Sequence, residues 1–279
     1  MDFFTIFATR KQTENMFKRK VIAAAAMLMC CAAVSSAQIK IGNRTINAGK
    51  ALNAIGDVAS AVTLSDADIA RMCRESVEWM DAHNPIDEGE YDARLKRLTA
   101  GITDADGLPL NFKVYYVIDV NAFACGDGSI RVFSSLMDIM DDDELMAIIG
   151  HEIGHVVNHD VKDAMKSAYL ASAARNAAGA VGGTIGQLSE SQLGDVAAAF
   201  MGAQFSQKQE YAADDYGMQF AVKYGFSPYG MANSLNKLVE LSKGEKASAV
   251  QKMFSSHPDS EKRAAKMKEK ADKYVAENK

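Results

Sequence analysis

Proline is scarce: four in 279 residues, with no Pro-rich or Ser-rich tract. Nothing announces a long linker, and a chain of this length makes one large domain or two small ones, either able to bury a real core. A basic surplus is missing too. Lys and Arg number 31 against 36 Asp and Glu, a net charge of −5. A nucleic-acid binder normally carries a positive excess, so that class loses its support. The remaining fractions, 48 % hydrophobic and 24 % charged, are those of an ordinary globular protein and fit poorly with disorder or a polytopic membrane protein.

The amino terminus reads as a targeting segment. Lys18, Arg19 and Lys20 precede an uncharged run from Val21 to Ala37, which ends in Ser35-Ser36-Ala37 before Gln38. A basic flank, a short apolar stretch and small residues at −3 and −1 predict a secretory signal peptide over residues 1–37. Met16 opens a more ordinary version of it and is an alternative start. An uncleaved anchor is the competing reading. Lipidation at Cys30 or Cys31 fits poorly, because Met29 and Cys30 stand where a lipobox wants a small residue. Residues 38–279 then read as one domain, since no composition break divides them. Their only cysteines are Cys73 and Cys125. In an oxidising compartment such a pair is expected to form a disulfide; two buried free thiols are the alternative.

Secondary-structure signals are mainly helical. Ser65-Asp66-Ala67-Asp68 is a helix start, with Ile69, Met72, Cys73, Val77 and Met80 at helical spacing and Pro85 as the stop. Phe112–Val120 and Ile130–Phe133 flank the turn Gly126-Asp127-Gly128 and predict a hairpin or small sheet. From Asp141 the pattern is helical, with acidic residues where a helix dipole favours them. Helices are expected over about 191–224, 228–243 and 259–277. The Gly/Ala-rich stretch before them reads as a surface loop, its 14 uncharged residues being too few to cross a membrane. The fold class is α+β.

Chemistry concentrates at His151-Glu152-Ile153-Gly154-His155. Two His four apart lie one turn apart on one helix face, so both can reach one ion. Glu152 faces the open coordination position as a general base. Downstream, on a second predicted helix, lie Glu210 and Asp214, also four apart. A catalytic zinc takes three protein ligands, and Glu210 can supply the third. Asp214 can accept the proton of a ligating imidazole and fix its tautomer. His159 also stands four residues beyond His155, but reads as a helix-end or supporting residue.

HExxH followed by ExxxD is the gluzincin pattern. Asn121-Ala122-Phe123-Ala124 with Gly128, Leu136-Met137-Asp138, Glu144-Leu145, Ile149-Gly150 and His257-Pro258 with Arg263 make the chain resemble the HtpX and CAAX prenyl protease family over residues 64–270. The resemblance implies a mainly helical zincin-like domain whose small sheet turns an edge strand toward the active-site helix. It implies an endopeptidase with one Zn2+ per chain, acting on protein or peptide substrates. Together with the signal peptide, it implies an exported, periplasmic protein, anchored or peripherally associated with a membrane at most, working in protein quality control. Substrate is then expected to add a strand along Asn121, Ala122, Phe123 and Ala124. The resemblance also puts His257 near the metal, either as a catalytic oxyanion donor or as a latch on the open position. Two rivals remain: a non-catalytic zinc-stabilised peptide-binding module, which would not need Glu152, and an exopeptidase, for which no terminus-capturing group is apparent.

Overall fold

The protein is described by a computed structural model covering residues 38–41, 44–47, 65–175, 188–244 and 247–278. Residues 1–37, where the signal peptide is expected, and the glycine-rich residues 176–187 lie outside the described residues. Two units are distinguished, residues 1–63 and Leu64–Lys279. The first contains an antiparallel pair, β1 (Gln38–Ile41) and β2 (Arg44–Asn47), with Ile39 opposite Ile46.

The second unit opens with α1 (Asp66–His83). Ser65 and Asp68 form the expected capping box, and Asn84 closes the helix just before Pro85. Its apolar stripe is buried as the spacing requires. Next come α2 (Glu90–Leu98), a short hairpin of β3 (Asp104–Ala105) and β4 (Leu108–Pro109), and a three-stranded sheet. The sheet comprises β5 (Asn111–Tyr115), β6 (Ala122–Ala124) and β7 (Ser129–Phe133), in the order β5-β7-β6. Central β7 is parallel to β5 and antiparallel to β6, which leaves β6 at the edge.

The sheet differs from the expected Phe112–Val120 strand in a way that matters. The strand stops at Tyr115, because the Tyr116 N–H turns to the Pro85 carbonyl at 2.7 Å and Ile86 bridges to Tyr115. The chain then loops round and returns as β6. The hairpin therefore joins β6 to β7, and β5 lies on the far side of β7.

Eight helices complete the described part of this unit: α3 (Ser134–Ile139), α4 (Asp142–Val157), α5 (Asp160–Arg175), α6 (Glu190–Met201), α7 (Gln207–Lys223), α8 (Gly230–Ser242), α9 (Ala247–Ser256) and α10 (Ser260–Glu277). The single helix expected over 191–224 is two. Gly202 ends α6, and Ser206 with Gln209 forms a capping box that starts α7. None of the described helices is long and apolar enough to cross a membrane.

Both faces of the sheet are covered, so alternate residues face different cores. Val114, Ile130 and Val132 pack with Leu145, Ile148, Ile149 and Ile153 of α4. Tyr115, Phe123 and Phe133 pack with α1, α5 and α6 through Met72, Cys73, Met165 and Phe200. Arg131 on β7 is buried and meets Asp81 of α1 at 2.8 Å, an ion pair that also gathers Lys113 and the Tyr115 hydroxyl. Cys73 and Cys125 meet in this second core. They do so as two buried free thiols. The hydrogen bond to Cys73, with burial, pushes the Cys125 thiol well above its ordinary pKa.

Helices α4 and α7 cross with almost no side-chain padding. A Cβ on Gly217 would lie 2.6 Å from the Ala147 carbonyl oxygen and 2.9 Å from the His151 amide nitrogen. One on Gly150 would lie 2.8 Å from the Phe220 Cβ. Only glycine allows the two backbones to approach this closely.

A candidate metal centre between two close-packed helices

That close crossing sets the first rows of α4 and α7 against each other. Asp141 and Glu144 cap α4 reciprocally, and its periodic Leu145, Ile148, Ile149 and Ile153 seat it under the sheet. His151, Glu152 and His155 consequently lie buried on α4, facing Glu210 and Asp214 on α7. The α9–α10 junction brings His257 into the same space, and α10 supplies Arg263.

The geometry is that of a donor cluster. Ligand atoms of His151, His155, Glu210 and His257 all lie within 4.8 Å of one another. The two Nε2 atoms of His151 and His155 are 3.1 Å apart. A Glu210 oxygen is 3.4 Å from the His155 Nε2. The His257 Nδ1 lies 3.0 Å from Glu210 Oε1 and 3.3 Å from the His151 Nε2.

Each motif imidazole is held from behind by a carboxylate. The His151 Nδ1 is 2.9 Å from Asp214 Oδ1, and the His155 Nδ1 is 2.9 Å from Asp160 Oδ2. Those carboxylates call for the Nδ1–H tautomer, assigned from the hydrogen-bond partners. Two Nε2 lone pairs then point at one place, which is repulsive unless a cation, proton or metal ion, stands between them. Nitrogen and carboxylate donors converging on one point suit a four-coordinate transition-metal ion. Glu152 Oε1 is buried without a hydrogen-bond partner, and the His257 Nε2 lies 3.7 Å from it. An orphaned buried carboxylate oxygen beside such a cluster is a base held ready for a proton. The residues present therefore fit a catalytic metal.

The local electrostatics follow from burial and partners. Burial drives the His151 ring toward its neutral form, against the pull of Asp214. Burial opposes charge on His155 as well, but the hydrogen bonds to Asp160 and Glu210 outweigh it and push that ring up to about 9. Burial would raise Glu210, yet the surrounding imidazoles hold it far below the ordinary carboxylate range. Asp214 is lowered because Arg263 and His151 overcome its burial. Arg263 grips Asp214 with two hydrogen bonds, 2.6 and 2.8 Å, and also pairs with Glu210.

All of the proposed metal-site residues are thus gathered. His159 is not: it is exposed in the α4–α5 turn with φ 65°. His83 is likewise a helix-end residue, stacked on Trp79 at 4.0 Å. The Asn121–Ala124 segment forms the sheet edge and packs against α4. The Phe133 N–H bonds the Asn121 carbonyl and the Cys125 N–H bonds the Ser129 carbonyl, so by alternation the backbone of Ala122 and Ala124 points away from β7. Three contributors went unassigned from sequence. Asp160 had no signal, since five residues on is the wrong face of a helix. The guanidinium of Arg263 and the Phe205 ring stacked on His155 at 3.9 Å lie close to recognisable motifs, but spacing gave them no role.

Helices, edge strand and donor set define a metallopeptidase. The pattern of Peptidase family M48 matches residues 90–271, and the chain belongs to that family. It is 39 % identical over 241 residues to Metalloprotease LoiP of Escherichia coli (strain K12), covering 85 % of this chain and 94 % of that protein. It is 36 % identical over 213 residues to Metalloprotease YcaL of the same organism, covering 75 % and 82 % respectively.

Proposed function

We propose that the protein is a zinc endopeptidase, one ion per chain, that cleaves exported or envelope proteins as part of protein quality control. His151, His155 and Glu210 hold the ion, and Asp214 and Arg263 hold the holders. The ion, when bound, supplies Lewis acidity to the scissile carbonyl. Glu152 takes the proton of the attacking water and passes it to the leaving amine. The outward backbone groups of Ala122 and Ala124 pair with an extended substrate, as strand addition requires. The export of the chain rests on the amino-terminal sequence alone.

One observation carries the reading: the orphaned Glu152 oxygen beside four converging donors. A peptide receptor would have no use for that base. For His257, the proximity of its Nδ1 to the other donor atoms favours the latch role over the oxyanion donor in this state. The test is metal analysis with a casein-cleavage assay on the purified chain. Glu152→Gln should keep about one zinc per chain and lose proteolysis, because an amide cannot accept the proton. Retained turnover would remove Glu152 from its role.

A further inference from the structure

We propose that Asp160 is a positioning residue of the metal centre, holding His155 as Asp214 holds His151. The inference rests on the reading of His155 as a ligand and assigns a role that neither motif contains.

The argument begins with the turn between α4 and α5. On a continuous helix, residues five apart are rotated by about 140° and cannot share a face. Asp160 reaches the His155 ring only because the helix stops. Asn158 caps α4, its N–H bonding the Gly154 carbonyl at 2.9 Å. His159 then takes the left-handed conformation, φ 65°, with its N–H on the Val156 carbonyl at 3.0 Å. That single residue breaks the helix, and α5 begins directly after it at Asp160, whose carboxylate meets the His155 ring. A left-handed non-glycine residue is strained, and persists where the surroundings fix it.

The contact itself is well formed. Oδ2 of Asp160 accepts from the His155 Nδ1 at 2.9 Å, and both side chains are buried. Accepting from Nδ1 does two things. It fixes the tautomer whose Nε2 lone pair faces the donor cluster, and it sets the ring plane. A carboxylate behind a ligating imidazole also makes that imidazole a stronger donor. With Asp214 at the same distance behind His151, the two motif rings are held by matched carboxylates arriving from different helices, α5 and α7.

A purely structural Asp160, acting only as the first acidic residue of α5, would affect folding and leave the metal alone. The two roles separate in a zinc-competition titration against a chromophoric chelator, run on the full chain. Asp160→Ala should weaken zinc binding by about 10–100-fold. Asp160→Asn should lose less, because its amide oxygen can still accept from Nδ1 but without the charge. His159→Gly, which accepts the same φ and leaves the carboxylate in place, should bind zinc like the parent. Long-range 1H–15N spectra of the metal-free protein, recorded at a pH where the His155 ring is neutral, should show its Nε2–H tautomer gaining population in Asp160→Ala. Zinc affinity within about twofold of the parent in both Asp160 variants would overturn the inference, against the loss expected when such a partner is removed. Should Asp160→Ala fail to fold, Asp160→Asn decides alone. A parent chain that binds no zinc would instead sink the metal reading, so the two failures are distinguishable.

Discussion

Replacing Gly217 with Ala sets two expectations against each other. Helix propensity alone says that the exchange stabilises, by about 1 kcal/mol, because Gly217 lies inside α7. Packing says the opposite. The added methyl would stand 2.6 Å from the Ala147 carbonyl oxygen, 2.9 Å from the His151 amide nitrogen and 3.2 Å from the His151 Cα. All three are backbone atoms of α4, and none can swing aside as the end of a side chain could. The helices must part, and overpacking of this kind costs about 1–3 kcal/mol. The packing cost outweighs the gain in propensity, with a net loss of up to about 2 kcal/mol. At about 2–4 °C per kcal/mol for a domain of this size, Tm should fall by up to about 8 °C.

The same movement reaches the metal. Displacing α7 from α4 carries Glu210 and Asp214 away from His151 and His155, so zinc affinity should drop alongside stability. Thermal unfolding of the metal-free chain and a zinc-competition titration measure the two effects separately. A variant more stable than the parent, with unchanged zinc affinity, would refute the claim that this helix crossing sets the site.

Three further outcomes are expected. Glu210→Ala should lose both metal and activity, and Asp214→Ala should weaken metal affinity or activity by about 10–100-fold, read by metal analysis and peptide hydrolysis. In an oxidising compartment the neighbouring thiols of Cys73 and Cys125 should join, stabilising the domain by about 2–4 kcal/mol; two free thiols in non-reduced mass analysis of exported protein would refute this. His257→Ala should raise proteolysis if its ring blocks the fourth position, whereas a fall of about 10²–10³ in turnover at unchanged KM would restore the oxyanion role.

What the residues announced, and what they hid, divides by range. The Ser65 and Asp68 box, the Asp141 and Glu144 start of α4 and the two pairs four apart are local patterns, and each sits where its spacing put it. The end of β5 was hidden because it depends on Pro85, far earlier in the chain, offering a carbonyl to Tyr116. The break between α6 and α7 was written in Gly202 and the Ser206–Gln209 box, but the apolar spacing on both sides masked it. Helix α9 escaped because it follows α8 with no Pro or strong cap between them. Asp160 escaped for a geometric reason: its relation to His155 exists only through a left-handed His159, which no helical periodicity encodes.

Formal charge around the centre points the same way as the geometry. Four carboxylates, those of Glu152, Asp160, Glu210 and Asp214, are buried around one buried guanidinium, Arg263. Unpaired buried charge costs several kcal/mol per ion even after relaxation. One arginine cannot offset four carboxylates, and Arg263 is already committed to Asp214 and Glu210. Among the described residues, the other groups able to take positive charge there are the imidazoles, and burial resists that on His151. A divalent ion held by His151, His155 and Glu210 would offset two negative equivalents at once. A metal ion bound there would compete with the proton for the same His155 lone pair. The buried acidity and the converging donors therefore agree in one respect: both fit a bound cation.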